Sequence, residues 1–159
     1  MEQLKMGNDF LPELDQKRTQ RAVEAALEEY RLCKCLTFEE REASTTSGYN
    51  ERFHGPTNVT SDSTAQIAVS NVDRMAARKA YCERLERAVN RLPRMEKFLI
   101  LERYMSEDSQ YITDQNVYCF KFQPPISQPK YAEIRWRAFY KLALYLNIAV
   151  IKAREGGEA

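Results

Sequence analysis

Residues 113–143 read TDQNVYCFKFQPPISQPKYAEIRWRAFYKLA, and the order of signals in this stretch decides how the rest of the chain is read. Val117, Tyr118 and Phe120 mark a short helix from Thr113 to Phe122. A turn with two prolines, Pro124 and Pro125, follows. Ser127 is then a good N-cap, and Pro129 suits a first helical turn, so a second helix is predicted from Ser127 to about Arg154. Its Tyr131, Ile134, Ala138 and Leu142 fall four, seven, eleven and fifteen residues after Ser127, one apolar stripe at helical spacing. A stripe alone marks only a helix packed on a core. The short helix and turn in front of it supply the helix-turn-helix order.

Upstream the same periodicity continues. A helix from Arg94 to Met105 carries Phe98, Leu99, Ile100, Leu101 and Tyr104. Before it, Ala65 to Leu92 forms a long helix, with Ile67, Val72, Met75, Leu85 and Val89 among its apolar positions. Such a helix would span about 42 Å, longer than a small domain needs, and Pro93 ends it. Residues 43–64 lose all periodicity and are rich in Ser, Thr, Asn and Gly, which marks a loop. A first helix is predicted over 12–36, opened by Pro12 with Glu13 and Asp15 and carrying Val23, Leu27, Tyr30 and Cys33. The organisation expected is all-α: an N-terminal helical region (1–42), a loop (43–64), a long connecting helix (65–92) and a helix-turn-helix domain (93–159).

Composition agrees and narrows the function classes. The chain has 159 residues, 43% hydrophobic and 30% charged, with five glycines, which suits one folded helical unit. No apolar run reaches the length of a membrane span, and MEQLKMGND lacks the apolar core of a signal peptide, so a cytoplasmic protein is expected. Cys33, Cys35, Cys82 and Cys119 are irregularly spaced and read as small buried hydrophobes, with no metal site and no disulfide framework. His54 is the single histidine and lies in the aperiodic stretch, and no Gly-rich phosphate loop is present. No catalytic residues, cofactor or enzymatic activity are expected.

The net charge of +1 conceals a gradient. Residues 1–45 carry seven Lys/Arg against ten Asp/Glu, whereas residues 121–154 carry seven Lys/Arg against Glu133 alone. A basic element on a near-neutral chain is the footprint of a compact DNA-reading module as well as of an ordinary solvated helix face.

The layout resembles the DNA-binding fourth region of bacterial sigma factors, in which a leucine-proline, charged residues and an apolar run ending in arginine-tyrosine precede a helix-turn-helix. More closely it resembles the ArpU family of phage and prophage transcriptional regulators. The matching segments are Leu11-Pro12-Glu13-Leu14-Asp15, Asn71-Val72-Asp73, Arg84-Leu85-Glu86-Arg87-Ala88-Val89-Asn90-Arg91-Leu92, Asn116-Val117-Tyr118 and, most specific, Arg137-Ala138-Phe139-Tyr140-Lys141-Leu142-Ala143. The turn Phe122-Gln123-Pro124-Pro125-Ile126-Ser127 departs from the short glycine-containing turn of those proteins, which bears on the register of the reading helix.

Carried over by position, the resemblance implies that Gln128, Pro129, Lys130 and Glu133 face a major groove, with Arg137 one turn on. Lysine donates to guanine O6/N7, glutamine pairs with adenine and glutamate accepts from cytosine N4. Arg135, Lys141, Lys121 and the N–H groups at the Ser127 helix start suit backbone phosphates. Trp136 is expected to pack on the earlier helices. The resulting expectation is a transcriptional regulator of phage late or lysis/autolysin genes that binds double-stranded DNA. One helix-turn-helix covers only about 600–1,000 Å², so a homo-oligomer or RNA polymerase is expected to supply the remaining affinity, with no membrane partner. A DNA-recognition subunit of a phage packaging machine and a helical protein-interaction module are the alternatives.

Overall fold

A computed structural model describes residues 11–45 and 62–152. Its helices are α1 (Gln16–Thr45), α2 (Asp62–Asn90), α3 (Arg94–Ile100), α4 (Asp114–Asn116) and α5 (Gln128–Leu146). Helix α3 runs directly into a π-helical turn, Leu101–Met105, followed by a 3-10 turn, Glu107–Gln110; α4 likewise continues as a π turn, Val117–Lys121. Among the described residues no sheet forms, and strand-like pairing is limited to one antiparallel bridge between Leu14 and Ile151. The all-α reading is therefore correct. Of the loop expected at 43–64, the first residues belong to α1, which reaches Thr45, and the last to α2, which begins at Asp62; the rest of that stretch, His54 included, lies outside the described residues.

Both ends of the expected helices need correction, for one shared reason. Helix α1 starts at Gln16 rather than at Pro12, with the Asp15 carboxylate accepting from the Arg18 backbone N–H at 3.0 Å as an N-cap. Helix α5 stops at Leu146 rather than near Arg154. Asn147 adopts the left-handed conformation (φ 56°, ψ 38°), and the Ile148 N–H donates to the Ala143 carbonyl at 3.0 Å. The β-branched residues Ile148, Val150 and Ile151 then favour extended backbone. This tail returns to the residues before α1, where Asp15 N–H donates to Val150 O at 2.8 Å and Lys152 N–H to Glu13 O at 3.0 Å. The fully buried Thr19 closes the junction, its hydroxyl donating to Val150 O at 3.3 Å and accepting from Val150 N–H at 3.2 Å.

Helix α5 is central and packs on α1, α2 and α3. Its Tyr131, Ile134, Ala138, Phe139, Leu142 and Ala143 are buried, as the stripe requires. They meet Val23, Leu27 and Tyr30 of α1, Leu85, Ala88 and Val89 of α2, Leu99 and Ile100 of α3, and Val117 beyond α4. Edge-to-face contact between Phe98 and Phe122 (centroids 4.9 Å apart) ties α3 to the turn before α5. Trp136 is half-buried against the core and meets the Tyr140 ring at 6.2 Å. The cysteines correct one expectation: Cys82 is buried and Cys33 and Cys119 are half-buried, but Cys35 is exposed. The first half of α2 lies outside this core, with residues 66–77 all exposed.

Candidate nucleic-acid interface

The local chemistry of α5 produces a helix that is buried along one stripe and bare at its leading edge. Ser127 takes an extended conformation, and its hydroxyl accepts from the Lys130 N–H at 3.4 Å. Ser127, Gln128, Pro129, Lys130, Ala132, Glu133 and Arg137 are exposed, whereas Tyr131 and Ile134 between them are buried. The expected reading residues thus share one solvent-facing edge. Glu133 sits at its centre, bonded to Lys130 Nζ at 3.3 Å and to Arg137 at 2.6 Å. Exposed pairs of this kind contribute little to stability, so the two cations can leave Glu133 at little cost.

The remaining basic residues sit differently. Lys141 Nζ lies 2.8 and 2.9 Å from the two carboxylate oxygens of Glu96, a residue only 7% exposed at the start of α3. Arg135 donates to Asp114 at 2.8 Å. Lys121 pairs with Glu102 at 3.4 Å while staying exposed, and Lys152 lies on the tail beside Glu13 rather than on a helix. Among the described residues, Lys121, Arg135, Lys141 and Lys152 of the apparent basic stripe therefore each meet a carboxylate from an upstream segment. Arg135 and Lys141, expected at backbone phosphates, each meet a carboxylate from another segment of the fold.

Asp114 is the joint of this arrangement. Thr113 caps α4, its hydroxyl accepting from the Asn116 N–H at 3.3 Å while the Asn116 side chain accepts from the Thr113 N–H at 3.3 Å. That cap aims the next residue, Asp114, back at the core. Its carboxylate accepts from Arg103 Nε at 2.8 Å, from the Tyr131 hydroxyl at 3.0 Å and from Arg135. One side chain thereby joins the turn after α3 to α4 and to α5. Burial chiefly, and then the Asp114 carboxylate, push the Tyr131 phenol far above its ordinary range, so it stays a donor. Neither Asp114 nor Glu96 stands out from sequence: each is one acidic residue in a polar context, and its partner lies on another helix.

The Pro-Pro connection is anchored at both ends. Phe122 N–H donates to Val117 O and Ile126 N–H to Tyr118 O, each at 3.1 Å, and Phe122 is buried. Among the described residues only Asn147 has positive φ, so the connection turns without the left-handed residue that a glycine would supply. Beside the leading edge lies an open concavity of about 570 Å³, lined by Arg103, Tyr111, Thr113, Gln115, Tyr118 and Gln128.

No helix among the described residues is long and apolar enough to cross a membrane. No protein-family profile and no solved structure matches the chain. The chain is similar to the phage-related protein Lin1259/Lin1739 of Listeria innocua, with 30% identity over 149 residues that cover 89% of this chain and 96% of that protein. At that identity and coverage, the chain belongs to the family of this phage-related protein.

Proposed function

We propose that this chain is a non-enzymatic, sequence-specific DNA-binding regulator of phage genes, of the kind the ArpU resemblance implies. It would act on late or lysis/autolysin genes in the cytoplasm of the bacterial host, together with RNA polymerase or as a homo-oligomer, and without a cofactor. The observation that carries this reading is the bare leading edge of α5, which presents Gln128, Lys130, Glu133 and Arg137 to solvent while its reverse face is buried. In this reading Gln128 and Lys130 contact base edges, Glu133 accepts from cytosine, and Arg137 follows one turn on. Pro129 sets the first turn, and the N–H groups after Ser127 and the Lys121 ammonium meet phosphates. Arg135 and Lys141 position the helix from behind. The phage relationship agrees with this reading.

The test is selection of fragments from total phage and host DNA by the purified protein, followed by protection mapping. Recovery of one short site upstream of a phage gene is expected. Uniform recovery of all fragments, or of none, would overturn the reading. Enrichment at a packaging start site would favour the DNA-packaging alternative instead.

A further inference from the structure

A row of arginines runs along the end of α2 and into α3. Arg84 and Arg87 lie on the last turns of α2, Arg91 lies in the turn that closes it and Arg94 opens α3; all four are exposed. At 3.6 residues per turn the first three fall within an arc of about 60°, on the side of α2 opposite Leu85 and Val89. The carboxylates of this stretch are committed elsewhere. Glu86 accepts from the Tyr30 hydroxyl and pairs with Lys34, each at 2.8 Å, and Glu96 is buried on Lys141. Glu83 is exposed and joined to none of the four. Among the described residues, therefore, none of these arginines is in an ion pair, in contrast to the four cations of α5. Two of them are held by other means. The Arg84 guanidinium donates to Leu146 O at the C-terminal end of α5 at 2.9 Å, and that of Arg91 lies 6.0 Å from the centre of the Tyr145 ring, which is 41% exposed. The side chains of Arg87 and Arg94 have no polar or ring partner among the described residues.

We infer that this row is a docking surface for an acidic helical segment of a protein partner. Arg87 and Arg91 stand four residues apart, a spacing at which like charges on a helix repel, and an anionic occupant relieves that repulsion. The steps from Arg84 to Arg94 are three, four and three residues, the steps of one helix face. Carboxylates at the same steps on a helix laid alongside come abreast of the row over about 15 Å. Each guanidinium fork can take a carboxylate through two parallel bonds. Tyr145 beside Arg91 adds an exposed aromatic ring to the row, and tyrosine and arginine are the residues that carry most protein–protein contacts. Duplex DNA is the other polyanion, and the place of the row disfavours it. The row lies at the C-terminal end of α5, about 27 Å along that helix from Gln128. Helix α2 also turns these arginines away from the core on which the reverse of α5 packs, so a duplex at the leading edge does not reach them. The choice between the two polyanions rests on the proposed reading of that edge; the unpaired charge does not.

The test uses the full chain and two fluorescent synthetic peptides of one composition, each about four helical turns long. One carries glutamates at three- and four-residue steps along one face, and the other carries the same glutamates spread around the helix. In fluorescence anisotropy the first is expected to bind at least about tenfold more tightly than the second, and less tightly as salt rises. Arg87→Ala combined with Arg94→Ala is expected to lower that affinity at least about tenfold. Thermal unfolding should not change, since neither side chain has a polar partner to lose. Lys17→Ala, on the exposed start of α1, is expected to leave peptide binding as it was. Binding weaker than about 1 mM, equal affinity for the two peptides, or indifference to the paired substitution would each overturn the inference. So would a random-sequence duplex whose affinity falls with the paired substitution while that of the peptide does not, which would make the row a surface for the DNA backbone. No arm of the test uses the selected DNA site, so this inference and the DNA reading fail separately.

Discussion

Removing the Lys141 side chain separates the two roles a basic residue on α5 can have. If it served phosphates, Lys141→Ala would leave the fold intact and lower the salt dependence of DNA binding by about one counterion. The geometry assigns it to Glu96 instead, through contacts of 2.8 and 2.9 Å. Deleting one partner of a fully buried ion pair costs about 3–5 kcal/mol, because the other charge is left desolvated and alone. Here the carboxylate side chain is 9% exposed but the lysine is 36% exposed, so water reaches one end and about 2–3 kcal/mol is expected. Glu96→Gln removes the charge that needs a partner, so in the Glu96→Gln background Lys141→Ala should cost less than about 1 kcal/mol. The assay is urea unfolding followed by far-UV circular dichroism for the four proteins of the cycle. A loss below about 0.5 kcal/mol for Lys141→Ala in the wild-type background, or equal losses in both backgrounds, would refute the clamp. A salt slope reduced by about one with unaltered stability would return Lys141 to the phosphate contacts.

Three further outcomes follow from the same packing. Asp114→Asn keeps the shape of the joint but removes its charge from Arg103 and Arg135; with the carboxylate 38% exposed, a loss of about 1–2 kcal/mol is expected in urea unfolding, and an unchanged midpoint would remove Asp114 as the joint. Tyr104, chiefly through burial, is pushed up to about 12, and Tyr131 is raised further for the same first reason. A phenol held neutral in the fold stabilises it fully below the unfolded value near 10 and loses that contribution as pH rises towards the folded value, so tyrosinate absorbance above pH 10 should rise together with loss of ellipticity; ionisation of all nine tyrosines in a chain that stays helical would contradict this. Asn147→Val forces a β-branched residue into the left-handed cap and should cost about 1–2 kcal/mol, whereas Asn147→Gly should be close to neutral; equal effects in a thermal melt would count against the cap.

How far the sequence carried the fold depends on whether a signal is local. The α5 stripe, its Ser127 cap and the helix-ending Pro93 are all local, and each was legible. The two helix ends were misread because the deciding partners are remote. Residues 13–15 leave the helix to pair with residues 150–152, a contact spanning more than 130 positions that periodicity cannot register. Asn147 was the available sign for the second of these ends, since asparagine tolerates the left-handed region better than other side chains with a Cβ. The candidate site divides in the same way. Exposure of Gln128, Lys130, Glu133 and Arg137 follows from their offset from the apolar stripe. The internal commitment of Arg135 and Lys141 does not, because a helical wheel shows which face a residue occupies and not which carboxylate waits opposite.

These relations give the three helices around the turn a shared logic. Carboxylates at Glu96 and Asp114 draw the rear cations of α5 inward, and this fixes the angle at which the front cations project. Preorganised side chains lose less entropy when they engage a partner, whereas the exposed Glu133 pairs leave Lys130 and Arg137 free to exchange partners.

The most direct test of the account is the affinity of Gln128→Ala and Lys130→Ala variants for the selected site and for a scrambled duplex, measured by fluorescence anisotropy at fixed salt. The account predicts a loss of about 1–3 kcal/mol on the selected site for each variant, with base preference relaxed at one position and little change on scrambled DNA. Equal losses on both duplexes, or full affinity retained on the selected site, would contradict it.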